Sequence, residues 1–189
     1  MGRRRQFEDA AVIRAARDLF WERGYASTSL ADLEAATGLS RSSLYQAYDS
    51  KRALFDRAVQ SYCQEFVWPI VAPMEVDGAG RDEVVGFFLA LARHLRGPES
   101  IDARGCMVAN TASELNVLDS AATGLVSAFR ERVHAAHLNA LSATDGVDNC
   151  TSRAEVLSAA QMGLMITARF DPDRAATMAE TIAADIQTW

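Results

Sequence analysis

The stretch GLSRSSLYQAYDSK, Gly38 to Lys51, carries the side chains of this chain best suited to gripping another molecule. Arg41 offers a planar fork of N–H donors and Gln46 an amide with one donating and one accepting edge. These are the groups that pair bidentately with guanine O6/N7 and adenine N6/N7. Ser42 and Ser43 are short enough to allow close approach, while Tyr45, Tyr48 and Lys51 have the reach and the donors for phosphate oxygens, which fix register without reading sequence. Leu44 alone points the other way, into a core.

Such side chains are useful only if the backbone holds them on one face. Upstream, Val12, Ile13, Ala16, Leu19 and Phe20 recur at helical spacing over about Glu8 to Arg23, with Gly24 as a left-handed stop. A short helix follows, with Thr28 or Ser29 as N-cap, Leu30 and Leu33 inward and Gly38 at its end. Ser40 caps a third helix reaching about Tyr48. A fourth starts at Asp49 or Ser50, carries Leu54, Phe55, Ala58, Val59 and Tyr62 on one stripe, and stops at Pro69. A helix ended by glycine, a turn of about three or four residues and a second short helix make the helix-turn-helix pattern, whose second helix lays its N-terminal residues on base edges in the DNA major groove.

Composition agrees with a compact helical protein. The chain has 189 residues, 49% of them hydrophobic and 23% charged, enough apolar material for a real core. Its net charge of −6 speaks against nucleic acid until it is divided. Residues 1–60 hold ten Lys+Arg against eight Asp+Glu, and residues 61–189 hold nine against seventeen, so the basic balance lies with the helix-turn-helix. Arg3, Arg4 and Arg5 lead that end, as an arm that touches the minor groove or touches nothing. Cys63, Cys106 and Cys150 are odd in number and lack CxxC spacing, which argues against a disulfide framework or a zinc ribbon and for a reduced, cytoplasmic protein. The longest apolar run, VVGFFLALA at 84–92, is far short of the ~20 residues that span a bilayer, so no membrane partner is expected.

The segment from Gly24 to Val59 resembles the DNA-binding region of the tetracycline-repressor (TetR) family, through Gly24-Tyr25, Thr28-Ser29, Asp32-Leu33, Gly38-Leu39-Ser40, Leu44-Tyr45, Tyr48, Ser50-Lys51 and Leu54-Phe55. With the helix before it, the resemblance covers about the first third of the chain. It implies an all-α homodimeric regulator, usually a repressor, with a three-helix DNA-binding domain over 1–50 and a helical ligand-binding and dimerisation domain over 51–189, joined by the helix at 51–68 and comprising about nine helices in all. Carried over by position, Arg41, Ser42, Ser43 and Gln46 lie where family members read bases, and Ser29, Tyr45, Tyr48 and Lys51 where they hold the backbone. Three positions depart from the pattern. Tyr48 stands where phenylalanine is commoner, Ser42 where glycine, alanine or proline often sits, and Glu34 where alanine is usual. A carboxylate at 34 either faces solvent or repels phosphate.

Beyond Pro69 the spacing predicts helices at about Arg81 to Arg96, closed by Gly97-Pro98, at about Gly105 to Leu118 and at about Ala121 to Leu141. A capping box at Ser152 to Glu155 opens an eighth, and Asp171-Pro172 opens a ninth. Ala159, Ala160, Gly163 and Ile166 on the eighth, with Ala176, Ala179, Ile182, Ala183 and Ile186 on the ninth, offer small surfaces for a two-fold four-helix contact or for the chain's own core. A dimer would carry two recognition helices about 34–36 Å apart, matched to a palindromic operator.

A small-molecule effector of unknown identity is implied by the same resemblance. On the helix from Gly105, Met107, Asn110, Thr111 and Glu114 form one stripe and Val108, Ala112 and Leu115 another. If the first faces inward, Met107, Asn110 and Glu114 line a cavity completed by Trp68, Phe87, Phe88 and Met162. The second stripe is the more apolar and the better candidate for the core, which leaves the first solvated. Cys106 at a helix start beside Arg104 would have a lowered pKa, making a sensor of oxidants or electrophiles one alternative; a helical protein-interaction module is another. Glu131, His134 and His137 have the spacing of half a carboxylate-bridged metal site, with no second copy, and read better as a solvated face. No cofactor or metal is expected. The chain carries no Walker loop, dinucleotide-binding glycines, HExxH or GxSxG, so no enzyme is expected either.

Overall fold

A computed structural model of the chain describes the backbone of residues 2–97 and 104–189, with side chains from Asp9 onward. The side chains of Arg3, Arg4 and Arg5, and residue Pro98, lie outside the described residues. Among those described, nine helices carry the fold: α1 (Gly2–Arg23), α2 (Leu30–Thr37), α3 (Arg41–Tyr48), α4 (Lys51–Tyr62), α5 (Arg81–Arg96), α6 (Met107–Ser113), α7 (Ser120–Ser142), α8 (Cys150–Thr167) and α9 (Pro172–Ile186). The architecture is all-α.

The first four helices close around a small aromatic core. Leu33 of α2 and Leu44 of α3 are buried between α1 and α4, where Phe55 meets Phe20 and Tyr25 edge-on, both at 5.1 Å. Each such side chain removed from water contributes about 1.5–3 kcal/mol. One residue further along α1, Trp21 faces the rest of the chain. Its ring lies 4.7 Å from Tyr62, and its indole N–H donates to the Gly105 carbonyl at 2.9 Å. Helix α1 therefore contributes to both halves of the core.

Pro69 does not stop the fourth helix, as its missing N–H suggested it would. After Tyr62 the chain widens into a π turn, Cys63–Val67, and then continues as Trp68–Val71. In the wide turn the Trp68 N–H reaches back five residues to the Cys63 carbonyl, so Pro69 falls at the start of a fresh helical segment, where no N–H is required of it.

Three other helix ends differ from the spacing, the first being α1, which starts at Gly2 and not at about Glu8. Helix α6 ends at Ser113, not Leu118, because the Ser113 hydroxyl takes the Asn110 carbonyl at 2.6 Å and the Glu114 N–H falls back to Thr111. Helix α8 starts at Cys150, not at a capping box on Ser152; Asn149 precedes it in the left-handed region, and Glu155 is drawn away to Arg130. Helix α9 begins as its residues require, with the Asp171 carboxylate accepting the Arg174 N–H at 3.0 Å ahead of Pro172.

Four of the α9 residues weighed for a dimer contact serve the chain's own core. Ala176, Ala179, Ala183 and Ile186 are buried in the close packing of α9 on α5, which small side chains permit. Ile182 stays half-exposed, and on α8 Ala159, Gly163 and Ile166 remain exposed with Ala160 half-buried. Val156 and Phe170 add to that open apolar surface.

Candidate nucleic-acid interface

Backbone chemistry fixes the angle between α2 and α3. Gly38 ends α2 in the left-handed region, φ 71°, its N–H donating to the Glu34 carbonyl at 3.0 Å; a side chain there would be strained. Ser40 then caps α3 by accepting the Ser43 N–H at 3.3 Å. At the other end of α2, Ser29 and Asp32 form a reciprocal capping box. The Ser29 hydroxyl and N–H hold the Asp32 carboxyl below its ordinary pKa, with Arg23 adding to the effect from 2.9 Å.

On α3 the inward residues are Leu44 and Tyr48, and Arg41, Ser42, Tyr45 and Gln46 are exposed. The Arg41 guanidinium stands 6.0 Å from the Tyr45 ring, and the Ser42 and Ser43 hydroxyls each lie 3.0 Å from that of Ser40. Arginine, amide, hydroxyls and phenol are thus carried together by one short helix. Ser29 is exposed at the start of α2, its hydroxyl shared with Asp32.

Two residues read as phosphate contacts are held elsewhere in this structure. Tyr48 is buried at 3% exposure, and its hydroxyl donates to the Asp9 carboxylate at 2.6 Å, tying α3 to α1. Burial and that carboxylate together push the phenol far above its usual pKa. The Lys51 ammonium is half-buried over the Tyr25 ring and donates to the Tyr25 carbonyl at 2.6 Å. Desolvation lowers its pKa, opposed by the Glu114 carboxylate nearby.

Glu34 neither faces solvent idly nor points at a phosphate: its Oε1 accepts the Arg41 backbone N–H at 2.6 Å. No periodicity or capping pattern in the sequence announces a bond across seven residues between two helices.

The residues expected to line an effector cavity do not assemble into one. Phe87 and Phe88 are buried against His137, at 5.2 and 5.8 Å between ring centres. Met107 through Thr111 are all buried, so α6 shows its core face to both sides and neither stripe is solvated as a whole. Asn110 donates to the Arg104 carbonyl at 2.8 Å, and Trp68 lies between Phe129 and the Arg132 guanidinium. Met162 is half-buried. Glu114 turns to the DNA-binding half, its carboxylate accepting the N–H groups of Tyr25 at 3.2 Å and Ala26 at 2.8 Å. Gly24, φ 80°, makes room for it; a Cβ there would collide with that carboxylate.

A separate open cleft of about 830 Å³ lies among α1, the α4 extension and α5, lined by Arg17, Glu65, Phe66, Arg93, His94 and Arg104. None of the seven expected residues borders it. Arg17 is buried there over Phe66 and paired with Glu65 and Asp18.

Two ideas drawn from spacing are corrected. Cys106 has a raised pKa, because it is buried at 2% exposure and desolvation outweighs the hydrogen bonds from Tyr62 and the α6 backbone; Arg104 is stacked on Trp21 instead. The Glu131, His134, His137 face is not solvated throughout: His137 is fully buried, and desolvation lowers its pKa to about 4. Among the described residues no group of three or more His, Cys, Asp or Glu is arranged to hold a metal ion, and no helix is long and apolar enough to cross a membrane.

Residues 12–58 match the family described as bacterial regulatory proteins, tetR family. The HTH-type transcriptional regulator YezE of Bacillus subtilis (strain 168) is 37% identical over 114 residues, 60% of this chain and 58% of that protein. The HTH-type transcriptional repressor ComR of Escherichia coli (strain K12) is 30% identical over 116 residues, 61% of this chain and 54% of the repressor. The match thus spans little more than half the length of these relatives. Among solved structures, the reduced form of E. coli NemR superposes with a TM-score of 0.78 at 17% identity, covering 96% of this chain and 95% of that one. A cysteine mutant of the TetR family regulator CifR, complexed with a 26-base-pair double-strand operator DNA, gives 0.71 at 24% identity, covering 95% and 96%. At these identities the likeness is one of fold.

Proposed function

We propose, from the match of residues 12–58 to the tetR family of bacterial regulatory proteins, that this chain is a cytoplasmic DNA-binding transcriptional regulator of that family, a homodimeric repressor released from a palindromic operator by a small molecule. The observation that carries the reading is α3 itself. A two-sided cap sets the helix so that Leu44 is buried while Arg41, Ser42, Tyr45 and Gln46 stand exposed together. Arg41 and Gln46 have the geometry for purine edges, the serines allow approach, and Ser29 and Tyr45 face the phosphates.

Two copies are needed to read a palindrome. The exposed side of α8, with Val156, Gly163 and Ile166, and the half-exposed Ile182 of α9 are apolar enough to seat a second copy. The cleft beside Arg17, Phe66 and Arg104 is the candidate effector site, its volume within the range of about 300–1,000 Å³ that small-molecule sites take. It touches α1 and the extension of α4, so a ligand preferring one arrangement of these helices would shift the spacing of the two α3 helices. Glu114 supplies a second mechanical link, from α6 to the turn before α2.

The test is a salt-dependent titration of the purified chain against DNA from upstream of its own coding region and against sites enriched from random sequence. Sequence-specific binding by the wild type, relaxed at one position by Arg41→Ala or Gln46→Ala, supports the assignment. Equal affinity for all sequences would remove it.

A further inference from the structure

Glu34 is a departure from the family pattern that the DNA-binding reading leaves unexplained. Its carboxylate reaches from α2 to the first N–H of α3, that of Arg41, at 2.6 Å. A helix leaves its first N–H groups without intrahelical partners, and such an end attracts anions. Here two of the three at Arg41, Ser42 and Ser43 are filled from within, by Glu34 and by the Ser40 hydroxyl. The protein's own anion occupies the end of α3 that enters the groove.

A carboxylate fixed there has two effects. It repels phosphates equally on every DNA sequence, because the phosphate charge is the same everywhere. It also anchors the peptide from which the exposed Arg41 side chain departs, which helps binding only where the guanidinium finds its base. The uniform penalty lowers every affinity alike, and the selective gain alone raises the ratio of specific to non-specific affinity.

We infer that Glu34 is a specificity-determining positioning residue, which orients Arg41 and suppresses sequence-independent DNA binding. The inference rests on the reading of α3 as the base-contacting helix.

The test compares the full chain with its Glu34→Gln and Glu34→Ala variants. Each is titrated over a range of salt against two labelled duplexes, one carrying a site enriched from random DNA by the wild type and one a scramble of it. Glutamine keeps an acceptor for the Arg41 N–H and removes the charge; alanine removes both. Glu34→Gln is expected to bind both duplexes more tightly, with a salt slope steeper by up to about one. Glu34→Ala is expected to lose discrimination by about tenfold as well, which glutamine restores. A purely structural residue would not tighten binding to the scramble when neutralised. If Glu34→Gln matches the wild type on the scramble in affinity and salt slope, or if Glu34→Ala keeps the wild-type ratio, the inference is wrong. If Glu34→Ala does not fold by circular dichroism, Glu34→Gln alone decides. A wild type that discriminates between no two sequences defeats the DNA reading itself, a result plainly different from either failure above.

Discussion

Glu114 holds Ala26. One carboxylate oxygen at the end of α6 accepts the Ala26 N–H at 2.8 Å and the other accepts the Tyr25 N–H at 3.2 Å, while Lys51 donates to the Tyr25 carbonyl at 2.6 Å. The turn between α1 and α2 is therefore gripped by a side chain from nearly ninety residues away in sequence. Hydrogen bonds to a charged acceptor contribute about 1.5–3 kcal/mol when sheltered. Glu114 is half-exposed, so Glu114→Ala should cost the lower part of that range, about 1.5–2 kcal/mol. Denaturant unfolding gives the cost, and hydrogen exchange should show the Tyr25 and Ala26 amides losing protection ahead of the rest. Unchanged protection at those two amides would mean the grip is not made in solution.

Tyr48 separates a core role from a DNA role. Its hydroxyl is spent on Asp9 and its ring is buried, so Tyr48→Phe should lower stability by about 1 kcal/mol and leave DNA affinity intact. Measuring both on one preparation decides between the roles. A uniform loss of affinity across sequences, with the unfolding midpoint unmoved, would restore Tyr48 to the phosphate-contacting set.

These two residues mark what the sequence does and does not disclose. Helix positions, Gly38 as the left-handed stop and the exposure of Arg41, Ser42 and Gln46 follow from local rules, which act over a few residues and can be read in order. The Tyr48 to Asp9, Glu34 to Arg41 and Glu114 to Ala26 bonds join different elements, and no spacing along one helix encodes them. Glu114 shares a helical stripe with Met107 and Asn110, yet it lies past the last turn of α6, where the stripe no longer predicts direction. Pro69 misled for the same reason. A π turn upstream changed which N–H groups were needed.

His137 gives the fold a pH dependence with a definite sign. Buried between Phe87 and Phe88, with Nε2 lacking any hydrogen-bond partner, it has its pKa lowered to about 4 by desolvation first and by His134 second. Between pH 6.5 and about 4 the unfolded chain binds a proton at this ring and the folded chain does not, so stability is present above the unfolded pKa and falls with pH through that window. The loss is on the order of 3 kcal/mol. Urea unfolding of wild type and His137→Leu from pH 7 to 4 should show the steeper fall in the wild type. Parallel curves would place the ring in a wetter setting than its burial implies.

The three thiols should be ranked by burial, not by charge. Desolvation raises the Cys63 pKa to about 12 and also raises that of Cys106, whereas Cys150 is half-exposed at the start of α8, 3.1 Å from the Val147 carbonyl. Only a thiolate attacks an electrophile, so a buried thiol with a raised pKa is slow on both counts. Iodoacetamide at pH 8 should therefore label Cys150 first in the native protein and reach Cys63 and Cys106 only as denaturant opens the core, with mass spectrometry of the digested chain assigning each site. Labelling of Cys106 at a rate independent of denaturant would require an opening of α6 from its partners short of global unfolding, and would return this residue to consideration as a sensor. Co-migration of Cys106 labelling with the unfolding transition leaves it as a small apolar side chain packed beside Tyr62.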